Sequence, residues 1–359
     1  MLIIILFILI LILIFILYDI NYNNELSSNN FWDKQPVMRK YVSNFNIIGQ
    51  IPKFEINLMD DMKIETNDNI DINNIGEIIK FLDDNFSGFL KIVSKNTIDY
   101  ILDKKTTSIK LYKNNKLVGF IHSRPLIINY DGNEYKLNYV EYLCVLKELR
   151  GCNIASILIA SIIERMNEIE YDQNRLYLFK KDGDKHRFLP IIESRYMCLD
   201  IEKIKKDLDI NEHNIKVRNI DDIRYDEWNK KNIGHKLYIK MDEEEWKGYI
   251  INRKIYRIEI EDKKYNIIGS VGKIKDDNKV FDIEYIYKTE DDRDVNKWND
   301  LIIYLWDEGY KYITMNDISD HMNILGNIGG WELGNNFQYY LYNGECRNID
   351  NVEVNMTIN

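Results

Sequence analysis

Lys136-Leu-Asn-Tyr-Val-Glu-Tyr-Leu-Cys-Val145 decides the fold. Aromatic and β-branched residues dominate it, and apolar side chains fall on both faces, as in a strand buried between layers. Lys147-Glu-Leu-Arg-Gly-Cys-Asn153 breaks this pattern. Ile154, Ile157, Leu158, Ile162 and Met166 then follow the 3.6-residue period of a helix. Strand, tight turn and helix in that order aim free backbone N–H groups and a positive helix end at whatever sits above the turn.

Outward from this stretch, residues 108–121 read as a hairpin with Asn114-Asn115 at its turn, and residues 123–133 as a connection to the central strand. Residues 75–83 and 97–102 carry helical patterns. Downstream, residues 174–179 read as a strand and residues 180–185 as a charged loop. From Ile215 the order begins again. Residues 215–218 (strand), 221–230 (helix), 254–260, 266–271 and 280–287 (strands) and 296–306 (helix) copy the first half, with Asn266-Ile-Ile-Gly269 where Lys116-Leu-Val-Gly119 stood. A duplication on this scale means two pseudo-equivalent units.

With 359 residues, 45% of them apolar, the chain has material for one large core or two ordinary ones. A net charge of -10 without a basic run argues against nucleic acid and suits a basic peptide. Cys144, Cys152, Cys198 and Cys346 form no metal-ligand spacing and no disulfide framework, so no metal site is expected and the thiols read as reduced. Residues 2–18 are Leu, Ile and Phe with one Tyr, about 26 Å as a helix against a hydrocarbon core of about 30 Å. They read as a single-pass membrane anchor (residues 1–20) on a polar tether (residues 21–30), with the catalytic domain cytosolic. Leu2 excludes myristoylation of the chain itself, which needs Gly there.

Glu141-Tyr-Leu-Cys-Val-Leu-Lys-Glu-Leu-Arg150, with Ile154-Ala and Leu158-Ile159, resembles the central motif of the N-myristoyltransferases, whose fold repeats an acetyltransferase-type (GNAT) unit twice. Four further segments resemble the family in the right order: Phe31-Trp-Asp-Lys-Gln-Pro-Val37, Lys116-Leu-Val-Gly-Phe-Ile121, Ile215-Lys-Val-Arg-Asn-Ile-Asp-Asp-Ile223 and Gln338-Tyr-Tyr-Leu-Tyr-Asn343. The resemblance implies a mixed α/β fold of two tandem GNAT-like repeats with pseudo-twofold symmetry. Residues 31–208 would form the acyl-CoA-binding half and residues 209–359 the peptide-binding half of a monomer. The implied activity moves a myristoyl group from myristoyl-CoA, a co-substrate rather than a resident cofactor, to the N-terminal glycine amine of a peptide.

The resemblance also assigns residues. Backbone N–H groups of Tyr142 and Leu143 would hold the thioester oxyanion, with Cys144 and Val145 beside them. Arg150, Gly151, Cys152, Asn153, Ile154, Ala155 and Ser156 would bind the CoA pyrophosphate, and Phe31 and Trp32 would cover its nucleotide, though two large aromatics also suit a core plug. Phe86, Phe89, Tyr196, Leu333 and Gly334 would meet the peptide. The carboxylate on Asn359 would be the base, with Glu141 or a water relay as the alternative. Several positions depart from the family. Asn30, Cys152 and Asn153 replace basic residues, Tyr177-Leu178-Phe179-Lys180 replaces a Thr-containing segment, and Leu333-Gly334-Asn335 replaces Gly-Asp-Gly. A catalytically silent acyl-CoA or peptide binder, or an enzyme with a different amine acceptor, is the competing reading.

Overall fold

The computed structural model describes residues 30–68, 75–86, 90–91, 106–170, 175–205, 215–220, 223–251, 253–260, 263–274, 278–288, 298–319, 321 and 329–356. In chain order the elements are α1 (Asn30–Asp33), β1 (Asn46–Ile47), β2 (Met62–Asp68), α2 (Ile75–Asn85), β3 (Leu90–Lys91), β4 (Thr107–Lys113), β5 (Lys116–Tyr130), β6 (Asn133–Val145), α3 (Ile154–Glu170), β7 (Leu176–Asp182), β8 (Ile192–Asp200) and α4 (Ile201–Ile204). The series continues with β9 (Ile215–Ile220), α5 (Tyr225–Asn232), β10 (Leu237–Lys240), α6 (Glu243–Ile250), β11 (Lys254–Ile260), β12 (Lys263–Ile274), β13 (Lys279–Lys288), α7 (Trp298–Asp307), β14 (Tyr312–Asn316), β15 (Trp331–Tyr342), β16 (Gly344–Glu345) and β17 (Val354–Asn355).

Among the described residues one mixed sheet of 15 strands runs β17-β10-β5-β6-β7-β15-β8-β14-β13-β12-β11-β9, with β4 also on β5, β2 on β4 and β3 on β12. Read from its middle, the order β4-β5-β6-β7-β15 mirrors β11-β12-β13-β14-β8. In each set antiparallel hairpins lead to a parallel pair, β6 with β7 and β13 with β14, and a helix makes the crossover, α3 in the first set and α7 in the second. This is the mixed α/β, pseudo-twofold architecture expected from the duplication. The outer members are exchanged: β15, late in the chain, pairs with β7, while β8, from the middle, pairs with β14.

α3 holds to the sheet by its apolar face, where Ile154, Leu158, Ile159, Ile162, Ile163 and Met166 are buried against Ile109, Leu111, Val118, Ile121 and Val140. Each such side chain contributes about 1.5–3 kcal/mol by leaving water, so packing rather than propensity fixes the helix. Gly119 sets how closely it lies: a Cβ there would come 2.8 Å from Leu158 Cδ1 and 3.3 Å from Ile154 Cγ2. α7 docks likewise through Leu301, Ile302 and Leu305 onto Tyr256, Ile258, Ile267 and Phe281.

The expected hairpin turn is present, with Asn114 at φ 49° and Asn115 at φ 62°, left-handed values that asparagine tolerates in a two-residue turn. Other expectations need correction. Residues 123–130 are not a connection, because β5 continues through them to a turn at Asp131-Gly132; Pro125 hides the strand pattern but sits exposed opposite Asn138. Lys180 to Asp182 belong to β7 rather than to a loop, since β15 extends the ladder there. The helix expected from residue 221 begins at Tyr225.

The membrane placement is also corrected. Among the described residues no helix is long and apolar enough to cross a membrane. Residues 2–18, read as the anchor, lie outside the described residues, so the single-pass localisation with a cytosolic domain is not retained. Residues 97–102 lie outside them too.

Candidate active site

β5 and β6 pair from Tyr130↔Asn133 to His122↔Glu141 and resume at Phe120↔Cys144, so Tyr142 and Leu143 together oppose Ile121. That is a β-bulge. Tyr142 takes φ 53°, a left-handed conformation that costs a non-glycine residue about 1–3 kcal/mol and persists only where its surroundings enforce it. β6 pairs with β7 only from Leu137↔Leu176 to Val140↔Phe179, whereas β7 continues to Asp182 against β15. The ladder between β6 and β7 therefore ends one residue before Glu141, and the bulge sits at the mouth of the resulting wedge.

Beyond Val145 a 3-10 turn (Lys147–Leu149) leads to Arg150, Gly151 at φ 84° and Asn153 at φ 62°, and then to α3. Two left-handed residues within three fold the chain back tightly, and α3 presents the N–H groups of its first turn at that corner. Arg150 braces it: Nη2 donates to the Asn85 carbonyl at 2.6 Å and Nε to the Val145 carbonyl at 3.4 Å, while Lys147 Nζ donates to the Asp84 carbonyl at 2.8 Å. The guanidinium expected on a phosphate is thus engaged with the end of α2. Gly151, Cys152 and Asn153 are exposed, Ile154 and Ser156 are buried and Ala155 is half-buried.

Phe31 and Trp32 cap this region from the α3 side. Their rings lie 5.0 Å apart; Trp32 packs on Phe188 at 5.0 Å, His186 at 5.6 Å and Phe179 at 6.0 Å, and Phe31 stacks on Phe54 at 5.8 Å. Both are half-buried, so they act at least as core plugs.

The other face of the wedge is polar. Val140 and Phe179 pack toward α3, whereas Tyr139 and Leu178 pack on the opposite side; strand alternation puts Glu141 and Lys180 on that opposite side as well. The Glu141 carboxylate, 7% exposed, accepts from Arg124 Nε at 3.2 Å. Burial raises its pKa above the ordinary glutamate value, while Arg124 and then Lys180 oppose the rise. Lys180 Nζ lies 4.4 Å from the Phe337 ring centroid and 5.8 Å from that of Tyr339. Asp282 on β13 accepts from the Tyr196 hydroxyl at 2.8 Å and the Thr314 hydroxyl at 2.7 Å. Burial pushes its carboxyl up to about 6; Glu284 adds to the rise and Lys180 opposes it.

Of the residues singled out in the sequence, Tyr142, Leu143, Cys144, Val145 and the 150–156 turn form one continuous corner, with Phe31 and Trp32 packed on the same core cluster. Tyr196, Leu333 and Gly334 also come together: Leu333 pairs with Met197, and a Cβ on Gly334 would lie 3.0 Å from the Tyr196 carbonyl oxygen. Phe86 stands apart at the end of α2, and Phe89 and Asn359 lie outside the described residues. The tail before Asn359 is buried at Val354, Asn355 and Met356, and β17 pairs with β10. The sequence reading missed Arg124, Lys180 and the Asp282 cluster. Its available signal was charge on otherwise apolar strands, as in Val280-Phe-Asp-Ile-Glu-Tyr285.

Residues 42–174 match the family profile "Myristoyl-CoA:protein N-myristoyltransferase, N-terminal domain". A glycylpeptide N-tetradecanoyltransferase of Plasmodium falciparum (isolate 3D7) is 31% identical over 111 residues, which is 31% of this chain and 24% of the relative. The match thus spans about a quarter of that curated relative. Among solved structures, Saccharomyces cerevisiae N-myristoyltransferase with bound myristoyl-CoA superimposes with a TM-score of 0.71 at 15% identity, over 92% of this chain and 99% of the other. The same yeast protein with bound myristoyl-CoA and inhibitors gives 0.69 at 15% identity, over 94% and 98%. At such identity the likeness shows the fold. The resemblance read from the residues therefore holds: this chain is similar to the N-myristoyltransferases, by sequence over residues 42–174 and by fold over nearly its whole length.

Proposed function

We propose that this protein is an acyltransferase that moves a myristoyl group from myristoyl-CoA to the N-terminal glycine amine of a peptide or protein. The observation that carries the reading is the bulge at Tyr142, at the mouth of the wedge where β6 leaves β7 and directly ahead of the turn into α3. In this reading the thioester enters the wedge beside Cys144 and Val145. The backbone N–H groups of Tyr142 and Leu143 donate to its oxygen, and one such donor is typically worth about 3 kcal/mol in the transition state. The pyrophosphate lies over the 150–156 turn, held by backbone N–H groups and the α3 end, which replaces the basic side chains absent at Cys152 and Asn153.

The acceptor approaches from the face away from α3. Tyr196, Leu333 and Gly334 come together on adjoining strands β8 and β15, and next to them in the chain Ser194, Arg195 and Asn336 help to line a polar cleft of about 300 Å³ with Lys185, Glu193, Asp317 and Asn351. The amine nitrogen attacks the carbonyl carbon, the oxyanion forms and collapses, and the C–S bond breaks to release CoA. Incubation with labelled myristoyl-CoA and a library of N-terminal glycine peptides tests this. Label in amide linkage to the peptide supports transfer. Saturable acyl-CoA binding with no transfer would refute it and leave a binding module.

A further inference from the structure

We infer that Lys180 selects the acceptor: it holds an anionic group carried close to the attacking amine, so the acceptors this protein prefers bear a carboxylate near their free N-terminus. The inference rests on the acyl-transfer reading and deepens it. β6 and β7 last pair at Val140↔Phe179 and part beyond that register, so Glu141 and Lys180 are the first residues on the two lips of the wedge. Strand alternation sends both side chains to the face away from α3, the side left for the acceptor once α3 and the turn ahead of it take the CoA.

A polar row crosses that face from one half of the sheet to the other. It runs from Arg124 on β5 through Glu141 on β6 and Lys180 on β7, past Phe337 and Tyr339 on β15 and Tyr196 on β8, to Thr314 on β14 and Asp282 on β13. Most of its charges are satisfied within the row. Glu141 accepts from Arg124 Nε at 3.2 Å, and Asp282 accepts from the hydroxyls of Tyr196 at 2.8 Å and Thr314 at 2.7 Å. Lys180 differs. Its half-buried ammonium rests 4.4 Å from the Phe337 ring centroid and 5.8 Å from that of Tyr339, and among the described residues it makes no hydrogen bond or ion pair. Phe337 is itself fixed by the Tyr196 ring at 5.7 Å. The positive charge reaches both carboxylates, opposing the effect of burial on Glu141 and on Asp282, yet pairs with neither.

An ammonium has three N–H donors, and seating it on two rings holds it in place while leaving donors for an incoming oxygen. A cation on this lip repels an acceptor that brings only its own ammonium. A carboxylate close to that ammonium cancels the repulsion and takes the open donors. Paired strands lie about 5 Å apart and an extended peptide advances about 3.4 Å per residue, so the carboxylate belongs within the first three residues, about 10 Å of chain. An Asp or Glu side chain of a peptide supplies it, as does the α-carboxylate of free glycine.

The test uses the full chain with myristoyl-CoA and N-terminal glycine peptides that differ only in carrying Asp, Asn or Lys at the second or third residue, with free glycine as a further acceptor. The parent is expected to use the Asp peptide about tenfold better than the Asn peptide in kcat/KM, the value of one hydrogen bond to a charged group. The Lys peptide should be poorest. Lys180→Arg should keep this order, Lys180→Met should bring Asp and Asn within about twofold, and Lys180→Glu should place Lys above Asp. A purely structural role would lower all peptides alike and could not invert them. Should the variants fail to fold, the parent's own Asp-to-Asn ratio must shrink as salt rises from about 0.02 to 0.5 M, because screening weakens the contact. Preference for free glycine over the Asn peptide, lost in Lys180→Met, assigns the carboxylate to an amino acid and supports the same contact. Equal use of Asp and Asn by a parent that also ignores free glycine, a ratio unmoved by Lys180→Met and Lys180→Glu, or a ratio indifferent to salt each overturns the assignment. If the parent transfers to no acceptor, the acyl-transfer reading falls, and the same Asp-to-Asn comparison, made by calorimetric binding of the peptides, decides the role of Lys180 separately.

Discussion

Gly119 and Gly269 occupy matching places in the duplicated sequence, yet replacing each by alanine should have different consequences. At Gly119 the new methyl would come 2.8 Å from Leu158 Cδ1, about 0.6 Å inside ordinary contact, and the obstacle is the far end of a flexible side chain. Leu158 is fully buried, so it must repack rather than swing into solvent. Overpacking of this kind costs about 1–3 kcal/mol, offset by about 0.5–1 kcal/mol because alanine loses less backbone entropy than glycine. A net loss of about 1 kcal/mol follows. At Gly269 the methyl would lie 2.4 Å from the Asp282 carbonyl oxygen and 2.6 Å from Phe281 Cζ, about 1 Å too close to a backbone atom that cannot rotate away. That clash sits at the bulge between β12 and β13, and relieving it moves the strand; about 3 kcal/mol is expected. Urea unfolding read as midpoint and slope separates the two. Acyl-CoA affinity should fall only for Gly119→Ala, whose displaced α3 carries the phosphate corner. Equal losses of stability, or a larger loss at Gly119, would refute the contact argument.

Asp282, raised to about 6 in the folded protein, favours folding while protonated, so its contribution is present below about pH 4 and lost as the pH rises through 6. Asp282→Asn should remove that decline, worth about 3 kcal/mol, and a parent-minus-variant stability difference that stays flat from pH 4 to 7 would count against it. His122 is fully buried with Nδ1 2.8 Å from Ser108 Oγ, and burial lowers its pKa to about 3. Stability should therefore drop as the pH falls from 6.5 toward 3, and His122→Gln should make that drop shallower in acid titrations followed by circular dichroism. Arg253 and Glu284 form a buried pair at 3.0 Å, so Arg253→Met strands a charge and should cost about 3–5 kcal/mol; adding Glu284→Gln should restore most of it, and no restoration would deny the pairing its role.

Local periodicity made the working corner legible. β6, the turn, α3 and the Asn114-Asn115 hairpin all declare themselves in the spacing of apolar residues and in residues that tolerate left-handed φ. Partners from distant segments do not. Glu141 reads as one charge on an apolar strand until Arg124, brought diagonally across from it by β5, explains how it is buried. Lys180 reads as the start of a charged loop because its place in the sheet depends on Tyr339, more than 150 residues onward. β8 and β10 escaped notice for the same reason: their patterns are ordinary, and only tertiary pairing selects them. Pro125 concealed half of β5 by local chemistry that the exposed position tolerates.

The exchange of β15 and β8 between the two sets of strands has a consequence for synthesis. When the ribosome has made the first set, β7 still lacks the neighbour it will pair with at Tyr339 to Tyr342, about 160 residues later. At 5–20 residues per second that edge waits roughly 10–30 s with its backbone donors and acceptors unpaired. A nascent strand of this composition is a template for intermolecular pairing. Production of this protein should thus depend on whatever shields the emerging edge, and slowing translation between the codons for β7 and β15 should lower soluble yield without altering the finished molecule.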